Sequence, residues 1–183
     1  MSLLRDLLDQ VVRSALPRRR STSRRPESPR RDRRGRTGPR RDDDLSPGQA
    51  GPYATTQAHQ IGPVRTSYHP NTNGDPDPGE IVWTWVPYEE NDGRGKDRPV
   101  LIVAAEPSGT LLAVQLSSRD HSDDREWVPV GSGTWDDERR PSWADTDRVL
   151  RLHPLGMRRE ATALDRDQFD AVIAALNDRH HWQ

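Results

Sequence analysis

From residue 80 onward, short apolar runs alternate with polar, turn-rich segments, whereas residues 17–77 show almost no aliphatic periodicity. The run IVWTWV is β-branched and aromatic and ends at Pro87, which predicts a strand over 80–86. The apolar run at 99–105 predicts a second strand, and the glycine-rich segment EENDGRGKD between them reads as the loop of a wide hairpin. A Pro-Ser-Gly turn at 107–109 returns the chain into TLLAVQLSS, a third strand. The apolar density of this meander implies that at least one strand is buried on both faces. WVPV at 127–130 predicts a short strand that Pro129 confines to an edge or a bulge, and 148–152 predicts a last strand after a proline-bounded loop. The segment LDRDQFDAVIAALNDRHH predicts a closing helix, with Asp165 as its cap and Phe169, Val172, Ile173 and Leu176 as its inward stripe. Short, strongly turned strands followed by a helix predict a mainly β fold, a small, partly open barrel of SH3 type.

Composition divides the chain. Residues 1–44 carry fourteen Arg against seven acidic residues, and the remainder carries fourteen Lys and Arg against twenty-two Asp and Glu. The head is basic and the body acidic, although the formal net charge is only -1. The first sixteen residues place Leu3, Leu4, Leu7, Leu8, Val11, Val12 and Leu16 at helical spacing, interrupted by charges, which predicts an amphipathic helix and not a signal peptide. Residues 17–77, rich in Arg, Pro, Gly and Ser, cannot bury enough apolar surface to offset the entropy of ordering them and are expected to form a disordered linker. The barrel domain is then expected over 78–183, and the lack of any long apolar run points to a cytoplasmic protein. The chain has no cysteine, which excludes disulfides, zinc-thiolate sites and thiol nucleophiles.

Arg98 stands between the polar loop and the aliphatic run of the second strand. A permanently charged, five-donor group at such a joint suits a bound phosphate; it equally suits an ion pair with Asp92 or Asp97 of its own loop. His121, in the polar loop after the third strand, is of the residue type that serves as acid or base near neutral pH, and also of a type often merely solvated. Arg94, Lys96, Arg98 and Arg119 are the candidates for a local basic groove on an otherwise acidic body. Trp83 and Trp85 share a strand face and serve either as core anchors or as a stacking platform, while Trp135 and Trp143, in predicted loops, are candidates for base stacking or an interface. Two adjacent histidines, His180 and His181, do not present both rings to one ion at helical spacing, so no metal or other cofactor is assigned.

The segment PGEIVWTWVPYEENDGRGKDRPVLIVA resembles the amino-terminal signature of the PemK/MazF toxins of type II toxin-antitoxin systems, and the likeness continues through AVQLSS, SWADTDRVLRL and the closing helix, over about residues 78–176. The resemblance implies an SH3-like barrel, a homodimer with a cognate antitoxin as partner, and metal-free cleavage of single-stranded RNA. It also implies that the arginine of the Arg-Pro step, Arg98, and a hydroxyl ending the third strand, Ser117 with Ser118 as its neighbour, flank the scissile phosphate. That chemistry needs no metal: the 2′-hydroxyl of RNA is the nucleophile, and the protein orients an in-line attack and stabilises the phosphorane. The expected activity is endoribonuclease cleavage by transesterification, with catalytic roles for Arg98, Ser117 and His121 and RNA contacts from Arg94, Lys96, Ser118, Arg119 and Trp135. The same barrel also serves a gyrase-poisoning toxin family, so the alternative is a non-catalytic module that binds DNA, RNA or protein. The arginine-rich head is expected to add nonspecific contact with nucleic acid or an anionic membrane, or to act as a charged spacer.

Overall fold

Seven strands, all paired antiparallel, form one sheet in the computed structural model, which describes residues 45–62, 64, 66–71 and 75–182. They are β1 (Thr56–Gln57), β2 (Glu80–Pro87), β3 (Gly95–Ala105), β4 (Leu111–Ser117), β5 (Trp127–Gly131), β6 (Ser142–Leu152) and β7 (Arg158–Ala163), followed by helix α1 (Arg166–His180). The order across the sheet is β1-β6-β4-β3-β2-β7, with β5 on the free part of β6. The register shifts between Ile81 and Val82, Ile102 and Ala104, and Val114 and Leu116, and each such irregularity bends and twists its strand. The sheet thereby curls into a half-barrel with the helix against it, the mainly β architecture expected from the sequence.

The central strands are buried on both faces. In β3, Leu101 and Val103 join Leu112, Val114 and Leu116 of β4 and the Phe169, Val172 and Leu176 stripe of α1 in one cluster. Val100 and Ile102 point the other way, into a second cluster with Val82, Val86, Ala113, Leu150 and Leu152. Asp165 takes the N-cap position of α1, but its side chain makes no capping bond, and Ile173 is only partly buried.

Three expectations are corrected. β6 begins at Ser142, not at 148, because the segment around Trp143 pairs with both β4 and β5. β7, absent from the sequence reading, adds polar residues to the outer side of β2; without apolar alternation it carried no strand signal. The linker expected over 17–77 does not extend to 77, because its second half packs on the barrel. Thr55 Oγ1 lies 2.8 Å from Thr84 Oγ1, Val64 is buried in the helix-side cluster, and the Tyr68 hydroxyl donates to the Leu164 carbonyl at 2.7 Å. Gly48, at φ +79°, lies where a side chain would collide with Thr84, Thr55 and the Gly156 carbonyl. These attachments are few and far apart in sequence, which is why periodicity misses them. The amphipathic helix expected over 1–16 and the linker residues 17–44 lie outside the described residues.

Arg151 fastens this segment to the sheet. Its Nε and Nη2 donate to the two oxygens of Glu106 at 2.6 and 2.7 Å, and Nη2 also donates to the Gln60 carbonyl at 2.9 Å. The Arg151 hydrogen bond, aided by Thr110 and opposed by burial, holds the Glu106 carboxyl below its ordinary value of 4.5. A carboxyl so lowered stabilises the fold above that value and loses the contribution as pH falls through the folded-state pKa. Replacing Glu106 by Gln is expected to lower the unfolding free energy at pH 7 by about 1 kcal/mol, a value suited to a partly solvated pair. In urea titrations the difference from the parent chain should shrink as pH falls below 4.5; a difference independent of pH would show that the charge of Glu106 contributes nothing.

Candidate functional site

β3 starts four residues earlier than its apolar run, at Gly95, because residues 95–99 continue to pair with β2. A side chain at Gly95 would strike Trp85 and the backbone of β2, so a glycine permits the close approach that starts the strand. Arg98 consequently sits inside the strand, opposite Thr84, and not at the mouth of a nine-residue loop. The loop carboxylates do not hold it. Asp92 pairs with Arg94 at 2.6 Å, while Asp97 pairs with Arg158 at 3.5 Å and accepts from the Ser46 hydroxyl at 3.2 Å. Among the described residues, Arg98 has no hydrogen-bond or ion-pair partner, and it is only half-buried.

Ser117 is the last residue of β4. The β3–β4 ladder pairs Val100 with Gln115, and continuing that register by two residues sets Arg98 opposite Ser117. Both line one groove of about 390 Å³, with Lys96, Ser118 and Arg119. The Ser117 Oγ accepts from the Arg119 amide at 3.2 Å, the local turn-closing bond expected of a serine at a strand end. The same oxygen lies 3.2 Å from His121 Nε2, and His121 Nδ1 lies 2.8 Å from Asp124 Oδ2. The ring of His121 stacks on Trp127 at 3.7 Å with 9° between planes, and the Asp124 amide closes a turn onto the His121 carbonyl at 3.0 Å. If Nδ1 carries the proton given to Asp124, Nε2 is left as an acceptor and the Ser117 hydroxyl donates to it. Loop sequence alone offers no sign of this relay, since its members meet through a turn that a carboxylate, an imidazole and an indole close together.

Other predicted contacts divide. Arg94 is exposed, tied to Asp92, and lines a neighbouring recess instead of the groove. Trp135 is 6% exposed: it packs in the helix-side core, donates its Nε1 to Ser142 Oγ at 3.1 Å, and contributes only an edge to the lining of the groove. Trp83, half-buried, lies in the groove with the Arg158 guanidinium 5.7 Å from its ring centre. His180 Nε2 donates to the Thr146 carbonyl at 2.8 Å, and His181 ends the helix in the left-handed conformation. In the groove's acidic wall, Arg140 beside Asp136 holds that carboxyl below its ordinary range.

The neighbouring recess is lined by Tyr88, Glu89, Arg94, Gln115 and two residues of interest, Arg98 and Arg148. Sequence reading passed over Arg148 as part of a strand. It is 6% exposed, and its Nη1 donates to the Pro87 carbonyl at 2.7 Å while its Nε has no partner. Burial pushes its guanidinium below the usual value, the charges of Glu89 and Asp145 oppose that shift, and nearby Arg98 adds to it. The Asp145 carboxylate itself is occupied by the Gln115 amide at 2.8 Å and by backbone amides.

The fold is a curled antiparallel half-barrel with a terminal helix and a polar cleft across its central strands. Residues 77–179 match the family described as the PemK-like, MazF-like toxin of type II toxin-antitoxin systems, and the chain belongs to that family. Among solved structures it is similar to MazF from Deinococcus radiodurans, at 17% identity over 58% of this chain and 97% of that one, with a TM-score of 0.48. It is also similar to the Mycobacterium tuberculosis toxin MazF-mt6, at 17% identity over 57% and 98% with a TM-score of 0.41. A third likeness is to an endoribonuclease in complex with its cognate antitoxin from a mycobacterial species, at 16% identity over 60% and 96% with a TM-score of 0.43. No curated protein matches the chain.

The carboxylate contact makes a spectroscopic prediction. In the neutral state His121 is expected to carry its proton on Nδ1, read from ring nitrogen shifts in a long-range ¹H–¹⁵N spectrum. Asp124→Ala should move the proton towards Nε2. An unchanged tautomer in that variant would remove Asp124 from the relay.

Proposed function

We propose that this protein is the toxin of a type II toxin-antitoxin pair and an endoribonuclease that cuts single-stranded RNA without a metal. The observation that carries this reading is the convergence on one groove of an unpaired guanidinium, Arg98, and the Ser117 hydroxyl backed by His121 and Asp124. With the scissile phosphate between Arg98 and Ser117, the ribose 2′-oxygen attacks the adjacent phosphorus. The P–O2′ bond forms and the P–O5′ bond breaks. His121 Nε2 takes the 2′-proton through the Ser117 hydroxyl, which passes on its own, and the departing 5′-oxygen takes a proton from water. Asp124 and the Trp127 face hold the imidazole in place. Arg98 faces the charge that grows on the phosphorane oxygens; with no carboxylate to release, it meets that charge without reorganising. The products are a 2′,3′-cyclic phosphate and a 5′-hydroxyl.

Lys96, Ser118 and Arg119 are the groove residues that receive the rest of the RNA backbone in this reading. A homodimer and a cognate antitoxin complete it, and the basic head supplies nonspecific attraction that offsets the acidic body. Among the described residues no helix is long and apolar enough to cross a membrane.

Incubation of purified protein with a mixed-sequence single-stranded RNA in EDTA is expected to give cyclic-phosphate ends. Arg98→Ala is expected to lower kcat about 10²–10³-fold, and His121→Ala about 10²–10⁴-fold. Cleavage undiminished in Arg98→Ala would remove that residue from the chemistry, and no cleavage under any condition would overturn the enzyme.

A further inference from the structure

Arg148 is a buried cation without an ion pair. Among the described residues no carboxylate reaches its guanidinium at salt-bridge distance; Asp147, its neighbour in the chain, pairs with Arg179 at 3.2 Å, and Asp145 is bonded by Gln115 and by backbone amides. Its single hydrogen bond goes to a carbonyl, its Nε is orphaned, and Arg98, equally unpaired, lines the same recess. Holding two like charges together, one of them out of water, is costly in the free protein, and an arginine stays protonated rather than relieve the cost. The carboxylates that share the recess, Glu89 and Glu90, are exposed; Glu89 favours the charged guanidinium from a distance, but neither carboxylate fills its open donors. Two guanidiniums with open donors suit an anion that offers oxygens to both.

We infer that the recess formed by Arg148 and Arg98 binds a second phosphodiester of the RNA chain, next to the phosphate held between Arg98 and Ser117. The inference rests on the ribonuclease reading and deepens it. Arg98 stands at the junction of the groove and the recess, so it reaches one phosphate from each side of the strand path. Arg148 then fixes which phosphate enters the groove, because a chain anchored at its neighbour cannot slide by one nucleotide. It acts as a binding residue for the substrate backbone and carries no base specificity.

The test uses the full chain and a cleavage-resistant single-stranded 2′-O-methyl RNA, with affinity measured over a series of salt concentrations. Arg148→Gln is expected to weaken binding about tenfold or more. It should also reduce the slope of log affinity against log salt by about 0.7, the value for one phosphate contact on a single strand. Neutral methylphosphonate groups placed singly along the RNA should reveal, in the parent protein, sensitivity at the scissile phosphate and at its neighbour on the recess side, and Arg148→Gln should lose the sensitivity of that neighbour alone. Equal salt slopes, or no sensitivity at the neighbouring phosphate in the parent chain, would overturn the second phosphate site. If Arg148→Gln does not fold, the methylphosphonate series on the parent protein decides by itself. A parent protein that binds no single-stranded RNA would instead overturn the ribonuclease reading, whereas one that cleaves RNA yet shows no sensitivity at the neighbouring phosphate leaves that reading standing and removes only the inference.

Discussion

The burial of β3 on both faces is the constraint from which the site follows. Val100 to Ala104 are enclosed between two apolar clusters, and this fixes the strand's register, since a slip by one residue would exchange the clusters and drive every side chain to the wrong face. The polar continuation of the same strand inherits that register. Arg98, two residues before the enclosed segment, therefore points where the face of Val100 and Ile102 leads, and the ladder to β4 places Ser117 across from it. A core that resists slippage is what positions a charge and a hydroxyl outside the core.

Charge pairing sorts the arginines of this region into two kinds. Arg94, Arg140, Arg151 and Arg158 each have a carboxylate within ion-pair distance and are partly exposed. Such pairs trim surfaces and fasten segments at modest gain. Arg98 and Arg148 have no such partner, and they flank the same recess. On a body with an excess of acidic residues, leaving these two unpaired concentrates positive potential at one place. The sheet supplies the means: β6 carries Arg148 beneath the β2–β3 hairpin, where Pro87 offers a carbonyl and no charge.

The relay of Ser117, His121 and Asp124 has a different origin. Ser117 ends β4 and its two partners lie in the loop that follows, so their meeting depends chiefly on the turn closed by the Asp124 and Trp127 amides and on the flat face of Trp127. That face belongs to β5, whose pairing with β6 holds the loop's far end. Local hydrogen bonds thus place His121 beside Ser117, and the sheet places Arg98 and Arg148.

Periodicity and residue type alone gave the β character, the hairpin around Arg98, the edge position of Pro129 and the helix stripe of Phe169, Val172 and Leu176, because each is written in contiguous residues whose burial alternates with a fixed period. The same residues, with the family resemblance, named Arg98 and Ser117. Tertiary structure alone decided that Asp92 and Asp97 are engaged elsewhere and leave Arg98 unpaired, that Trp135 packs in the core beneath the groove, that residues near Thr55, Val64 and Tyr68 belong to the barrel, and that Arg148 is buried beside Arg98. Each of these depends on residues distant in the chain competing for one partner or one space, and no local pattern records the outcome of that competition.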